Sequence, residues 1–405
     1  MTKIAVIGNG LLNWGGGVDF LDLFMRGLEY YPEEDKEIFF FYDQSYLEAE
    51  VVASKNSVSS SRNEFSVGKD FNRCTALEEL QERFGGRVEF VGYEGGKSAL
   101  NHCLNVRKVD VIAFSMGQPG LSNYIPWVGY VYDFQHKYLE ENFSIEEISR
   151  RDKWFEGITS AADAVVCNSK AVRKDILKYC SCEETKVFSL PFSPAPYDEW
   201  LKLDSEYVKK KYQQESPYFI ICNQFWVHKD HKTAFLAMRN FLNAYGHKDK
   251  VQLVCTGDLN DSRFPNYVQE LKEIIKENYL DDHIRFLGHI PKLDQLALLS
   301  GAIALVQPTL FEGGPGGGSA YDAVAIGTPV IVSDILINRE IDAKNVYYFG
   351  RGDSVSLSKC MLNVAEKKTI VKSDSLAEEG RLRLVRLGEV LRDMCVYAIN
   401  HSTKK

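Results

Sequence analysis

Apolar residues recur along the chain in short runs of four to six, each followed by a polar turn and then by a stretch with helical spacing. Residues 4–8, 38–42, 88–91, 109–114, 128–132 and 164–167 are such runs, and apolar runs bounded by turn residues predict buried strands. Val18, Leu21, Phe24, Met25 and Leu28 share one face of a helix predicted over 18–28, fed by a glycine-rich loop over 9–17. Strands alternating with helices predict a parallel sheet with α/β layering. Residues 54–73 are rich in Ser, Asn, Lys and Asp and offer little apolar surface to pack, which predicts a mobile loop.

The run LPFSPAPYDEW, residues 190–200, holds three of the chain's twelve prolines within six positions and reads as extended chain between domains. A second α/β series follows it. Strands are predicted at 218–225, 251–255, 284–287, 303–307 and 330–332, with helices at 231–245 (closed by Gly246), 266–279 and 292–299. Leu382, Leu384, Leu387, Val390, Leu391 and Cys395 form the apolar face of a last helix. The expected organisation is therefore an N-terminal Rossmann-like domain over 1–192, a second over 193–380, and a helix over 381–405 packing back toward the first. Successive α/β domains of this kind bind ligands in a cleft at the carboxyl ends of their strands.

Composition narrows the class. A length of 405 residues exceeds what one core normally organises, and a formal charge of -8 with pI near 5.6 argues against nucleic acid as the main partner. No run of eighteen apolar residues exists, and MTKIAVIGNG is a short strand and turn rather than a signal peptide, so the expectation is a cytoplasmic protein without a transmembrane helix. Nine cysteines without a CxxC pair predict reduced core thiols, with no disulfide framework and no metal site.

The densest chemistry lies at 308–329, PTLFEGGPGGGSAYDAVAIGTP. Five glycines and Pro315 allow a tight turn that approaches a ligand closely. Ser319 is expected to cap a helix, with Asp322 as the acid of a capping box and Gly327 and Pro329 as the stop. A glycine loop feeding a helix N-terminus gathers unpaired N–H groups and a positive dipole end, which suits phosphate. A nicotinamide fingerprint at GNGLLN is disfavoured, because its third glycine is Asn13 and the next acid, Asp43, lies too far along.

Five stretches appear in one order: VGYVYDFQHKYLEENFS (128–144), ADAVVCNSKAVRKDI (162–176), NQFWVHKDHKTAFLA (223–237), IRFLGHIPKLDQLALLSGAIALVQPTLFEG (284–313) and GTPVIVSDILINRE (327–340). Together they resemble the retaining glycosyltransferases of family 4, which have the GT-B fold of two Rossmann-like domains facing each other across a cleft. The resemblance implies transfer of a hexose from a nucleotide-diphosphate sugar, of GDP-mannose or UDP-hexose type, to a glycan or lipid-linked acceptor. It implies an α-linkage, a role in surface polysaccharide assembly, and no cofactor or metal. Peripheral contact with the inner face of a membrane is left open by relatives that visit lipid-linked acceptors.

Residue by residue, Lys229 falls where the family's lysine pairs with the donor diphosphate, although HKDHK also reads as a solvated turn. The family's arginine five residues earlier is Gln224, which donates hydrogen bonds without neutralising charge. Glu312 matches the first glutamate of the family's paired motif, facing the donor sugar. Asp322 corresponds to the second, the ribose-binding acid, but nine residues intervene instead of the family's seven. Gly313, Gly314, Gly316, Gly317, Gly318 and Ser319 are expected to contact diphosphate and sugar. In the first domain, Gly15, Gly16 and Gly17 match the glycine loop. His136, with Asp133, falls where relatives place polar groups near the reacting sugar, although a lone histidine is more often structural. His289 falls where a loop meets the nucleotide base. A nucleotide-sugar epimerase or hydrolase of the same fold remains an alternative. So does a catalytically silent nucleotide-sugar-binding subunit, given Gln224 and Asp322.

Overall fold

The computed structural model describes residues 1–13, 15–32, 35–45, 73–120, 124–245, 251–261, 263–367 and 373–402. The stretch expected as a mobile loop over 54–73 lies outside them except for Arg73, as does Gly246. Two units form: Met1–Pro191 with Leu384–Lys405, and Phe192–Arg383.

The first unit contains β1 (Thr2–Ile7), α1 (Gly15–Glu29), β2 (Lys36–Asp43), α2 (Arg73–Phe84), β3 (Val88–Tyr93), α3 (Gly96–Arg107) and β4 (Val111–Ser115). It continues with β5 (Trp127–Tyr130), α4 (Gln135–Tyr138), α5 (Ile145–Ala161), β6 (Ala164–Cys167), α6 (Lys170–Tyr179) and β7 (Val187–Ser189). Its seven strands pair in parallel in the order β3-β2-β1-β4-β5-β6-β7. The strand order reverses between β1 and β4, the point beside which open α/β sheets bind ligands. Every residue of β4 and β6 is buried, as expected of parallel strands covered on both faces.

The second unit contains α7 (Ser205–Lys211), β8 (Tyr218–Cys222), α8 (His231–Tyr245), β9 (Gln252–Thr256), α9 (Tyr267–Glu277), β10 (Ile284–Gly288) and α10 (Lys292–Ser300). Then come β11 (Leu305–Gln307), α11 (Gly317–Ile326), β12 (Val330–Ser333), β13 (Val346–Phe349) and α12 (Ser354–Glu366). The parallel order β10-β9-β8-β11-β12-β13 reverses between β8 and β11. Alternate strand residues feed two cores: Phe219, Ile221 and Val306 pack with α8, α9 and α12, whereas Ile220, Val254 and Leu305 pack with α10 and α11. That two-sided burial explains why these strands read as unbroken apolar runs.

The last helix, α13 (Ser373–His401), spans the division, with Leu384 onward in the first unit. Leu384, Leu387, Leu391 and Cys395 are buried and Leu382 is exposed. A side chain at Gly388 would meet the Tyr30 carbonyl oxygen at 2.4 Å, so glycine there lets α13 lie directly on the end of α1.

Three expectations change. Gly15, Gly16 and Gly17 are the first turn of α1, not a loop, because the chain turns earlier through a 3₁₀ segment at Leu11–Asn13. The helix expected to start at Ser319 begins at Gly317 with Gly316 as its cap (φ 68°), and no side chain caps it. No capping box forms: the Ser319 hydroxyl has no hydrogen-bond partner among the described residues, and Asp322 bonds Lys292 instead. Finally, β8 ends at Cys222, leaving Asn223 and Gln224 in the turn that follows.

Candidate active site

In the second unit the turns after β8 and β11 flank the strand-order reversal, and each delivers one charged side chain. Lys229 ends a 3₁₀ turn over Val227–Lys229, and its Nζ donates to Glu312 Oε1 at 2.6 Å. The two side chains are only 11% and 8% exposed, so the pair is largely removed from water. The two turns are also joined by backbone: the Leu310 N–H donates to the His228 carbonyl at 2.8 Å. Lys229 and Glu312, more than eighty positions apart in sequence, are thus placed by the sheet topology.

Buried amides fix this arrangement. Asn223 Nδ2 donates to Gln307 Oε1 at 2.5 Å, and Gln307 Nε2 donates to Glu312 Oε1 at 3.1 Å and to the Gly316 carbonyl at 2.9 Å. The Gly316 N–H donates to Asn338 Oδ1 at 2.8 Å, and Asn338 Nδ2 donates to the Ser333 carbonyl at 2.9 Å. Gly317 has φ 66°, and a Cβ there would stand 3.0 Å from Glu312 Oε2 and 3.1 Å from Gln307 Nε2. Glycine is required by conformation and by space. The first turn of α11 adds N–H groups without intrahelical partners and the positive end of its dipole.

Two histidines border Lys229. His231 is fully buried, stacks on Phe225 at 4.1 Å between ring centroids, and has no hydrogen-bond partner on either ring nitrogen among the described residues. Burial, with the Lys229 charge second, lowers its pKa to about 3; burial, then Lys229, lowers that of His228 to about 2. Both imidazoles stay neutral beside the ammonium.

The other expected positions are more dispersed. Asp322, buried on α11, accepts from Lys292 Nζ at 2.7 Å, and the Lys292 side chain is 35% exposed. Gly313, Gly314 and Gln224 are half-buried, Gly318 and His289 are exposed, and Ser319 is buried. In the first unit, Gly16 is exposed and Gly17 buried in the first turn of α1. His136 has no exposed surface: its Nε2 lies 3.0 Å from Asp152 Oδ1, which also holds Lys137 within the same carboxylate, and Phe134, Phe143 and Phe155 surround the ring. Its Nδ1 has no hydrogen-bond partner among the described residues. Asp133 accepts from the Gln135 N–H at 3.0 Å at the start of α4.

Asn223, Gln307, Asn338 and Lys292 are absent from the sequence-derived set. For two of them a signal exists, since IICNQF and ALVQPT each end an apolar strand on an amide. A polar group at that depth needs partners. Among the described residues no group of three or more His, Cys, Asp or Glu could hold a metal, and no helix is long and apolar enough to cross a membrane.

Residues 204–382 match the family model of glycosyl transferases group 1. A curated relative, the O-antigen chain mannosyltransferase RfbU of Salmonella typhimurium, is 27% identical over 163 residues, which span 40% of this chain and 42% of that protein. Among solved structures, a glycosyltransferase of Rickettsia africae superposes with a TM-score of 0.61 at 15% identity, covering 100% of this chain and 99% of that one. HepE of Anabaena, in complex with UDP and glucose, superposes with a TM-score of 0.54 at 14% identity, covering 97% of this chain and 98% of that one. The two parallel-sheet Rossmann-like units thus have the GT-B fold of these glycosyltransferases.

Proposed function

We propose that this chain is a retaining glycosyltransferase of family 4. It moves a hexose from a nucleotide-diphosphate sugar, of GDP-mannose or UDP-hexose type, to a glycan or lipid-linked sugar acceptor and forms an α-linkage in surface polysaccharide assembly. It acts in the cytoplasm, with peripheral contact at the inner face of the membrane where the acceptor is lipid-linked. The observation that carries the reading is the buried Lys229–Glu312 pair beside the N-terminus of α11. The group 1 match over 204–382 supports it, as do the mannosyltransferase relative and the UDP and glucose held by the Anabaena structure.

In this mechanism a phosphate oxygen of the donor displaces Glu312 from Lys229. The bond from the sugar's anomeric carbon to the diphosphate breaks, the bond to the acceptor oxygen forms on the same face, and the acceptor proton passes to the departing phosphate. Lys229, the Gln224 amide, the turn over 313–316 and the first-turn amides of α11 from Gly317 hold the charge that develops on the diphosphate, with no metal ion. Glu312, released from the ammonium, faces the positive charge on the sugar ring. Asp322 takes the ribose hydroxyls and His289 meets the base, while His136 serves as a structural anchor of α4.

A thermal-shift panel of GDP, UDP, CDP and dTDP sugars tests this. A ligand at a hundred times its Kd stabilises the fold by about 2.7 kcal/mol, so one nucleotide class should stand out. Absence of binding by every nucleoside diphosphate in calorimetry overturns the reading. Nucleotide release at full rate without any acceptor turns it into a hydrolase or epimerase.

A further inference from the structure

We propose that Gln307, oriented by Asn223, is a positioning residue that ties the acid Glu312 to the glycine turn through one amide fork. The inference rests on the transferase reading for its kinetic consequence, but its geometry stands on the fold alone. Gln307 has no exposed surface, and Asn223 is buried in the turn that follows the neighbouring strand β8. Both polar atoms of the Gln307 amide are occupied: Oε1 by Asn223, Nε2 by Glu312 and by the Gly316 carbonyl.

The chemistry of the partners fixes which way the amide points. A carboxylate and a carbonyl only accept hydrogen bonds, so the face of Gln307 toward Glu312 and Gly316 must carry the NH₂ group. Its oxygen then faces Asn223, whose NH₂ donates. Reversing Gln307 would set three acceptors against one another in a dry interior, where an unmet polar group is costly. Gly316 is in turn held by Asn338 from the far side, and any side chain at Gly317 would press on both Glu312 and Gln307. The carboxylate and the loop therefore cannot move independently.

When diphosphate takes Lys229, Glu312 loses its strongest partner and keeps Gln307. The amide is then what holds the carboxylate in place while positive charge develops on the sugar. A positioning effect of that kind belongs to the transition state and spares ground-state binding of the donor.

Three chains of full length test the idea with a donor that the wild type uses: Gln307→Met, Asn223→Ser and the double variant. Gln307→Met should lower kcat at least tenfold with donor KM within threefold of wild type. Asn223→Ser should lower kcat by a smaller factor, and the double variant should fall no further than Gln307→Met alone, because the two amides act as one unit. Simple loss of fold also lowers apparent kcat at constant KM, so melting temperature is measured alongside and kcat is referred to the folded fraction, which a true positioning loss leaves still reduced. Retention of kcat within twofold in Gln307→Met overturns the proposal, as do losses that multiply in the double variant. A wild type that transfers from no donor overturns the transferase reading together with this proposal, and is distinguished from failure of the proposal alone, in which wild type and Gln307→Met are equally active.

Discussion

The two units share one topology and differ in what they set at the point where strand order reverses. In the first unit the turn after β1 is held by neutral groups: Asn9 donates to the Tyr93 hydroxyl and accepts from the Asp43 N–H at 3.1 Å. Gly10 in this turn has φ 86°, whereas Gly15, Gly16 and Gly17 adopt ordinary helical conformation at the start of α1. In the second unit the equivalent turn delivers an ammonium into a nearly dry contact with a carboxylate, and buried amides hold that contact. A parallel sheet supplies a turn and a helix N-terminus in both places. Among the described residues, the second combines them with a buried charge pair. The difference teaches that fold alone supplies an address, and that the amides Asn223 and Gln307 are what make one address chemically distinct.

The largest effects should follow from breaking that pair. Glu312→Ala and Lys229→Ala should each reduce transfer at least tenfold, or about 1.4 kcal/mol in barrier. Removing one partner of a buried ion pair also destabilises the fold, by about 3 kcal/mol at the low end of such cases. Glu312→Gln separates the two roles. It keeps the shape but removes the charge that neutralises Lys229, so nucleoside diphosphate should bind several-fold more tightly while turnover falls. Calorimetry with the wild type's nucleotide checks this, and weaker binding in Glu312→Gln would show that Glu312 does not compete with the diphosphate for Lys229.

Buried histidines give the next contrast. His136 in the first unit has Asp152 as a partner, and burial lowers its pKa against the opposing pull of that carboxylate. His231 in the second has no such partner, and its pKa falls to about 3. A histidine whose folded pKa lies below its unfolded value near 6.5 leaves stability intact above that value. Stability is then lost as pH falls from about 6.5 toward the folded pKa, at up to about 1.4 kcal/mol per pH unit for each such group. His228, lowered to about 2, adds in the same direction. Melting temperature should therefore drop between pH 7 and pH 5 in wild type and drop less in His231→Leu, which keeps an apolar side chain against Phe225. An identical slope in both would assign the acid sensitivity elsewhere.

Much of this was legible in the sequence because parallel strands buried on both faces leave unbroken apolar runs. Ala164–Cys167 and His231–Tyr245 are read to the residue for that reason and for helical periodicity. Lys229 and Glu312 stand out as charges beside such runs. Their mutual pairing does not, since it depends on β8 and β11 being neighbours, a long-range fact that no local spacing encodes. The capping box failed for a local reason: Gly316 and Gly317 both adopt positive φ and start α11 before Ser319, which frees Asp322 for Lys292. The edge strands β7 and β13 are mostly half-buried and lack the fully buried run that marks Ala164–Cys167.

The smallest effects expected, and the sharpest test of the contrast between units, come from two glycines that look alike in sequence. At Gly15 a Cβ would meet nothing within 4 Å and the backbone conformation suits any residue. Gly15→Ala should thus leave stability unchanged or raise it by up to about 1 kcal/mol, because alanine narrows the unfolded ensemble without straining the helix. At Gly317 the backbone is left-handed, and the new methyl would press on the Glu312 carboxylate and the Gln307 amide. Left-handed strain alone costs about 1–2 kcal/mol, so Gly317→Ala should be destabilised by at least that much in denaturant melts. Because both pressed groups belong to the amide-held pair, kcat should fall as well. If both alanine variants melted together and turned over at the same rate, the second unit's turn would be as replaceable as the first's, and the distinction drawn between the two addresses would be lost.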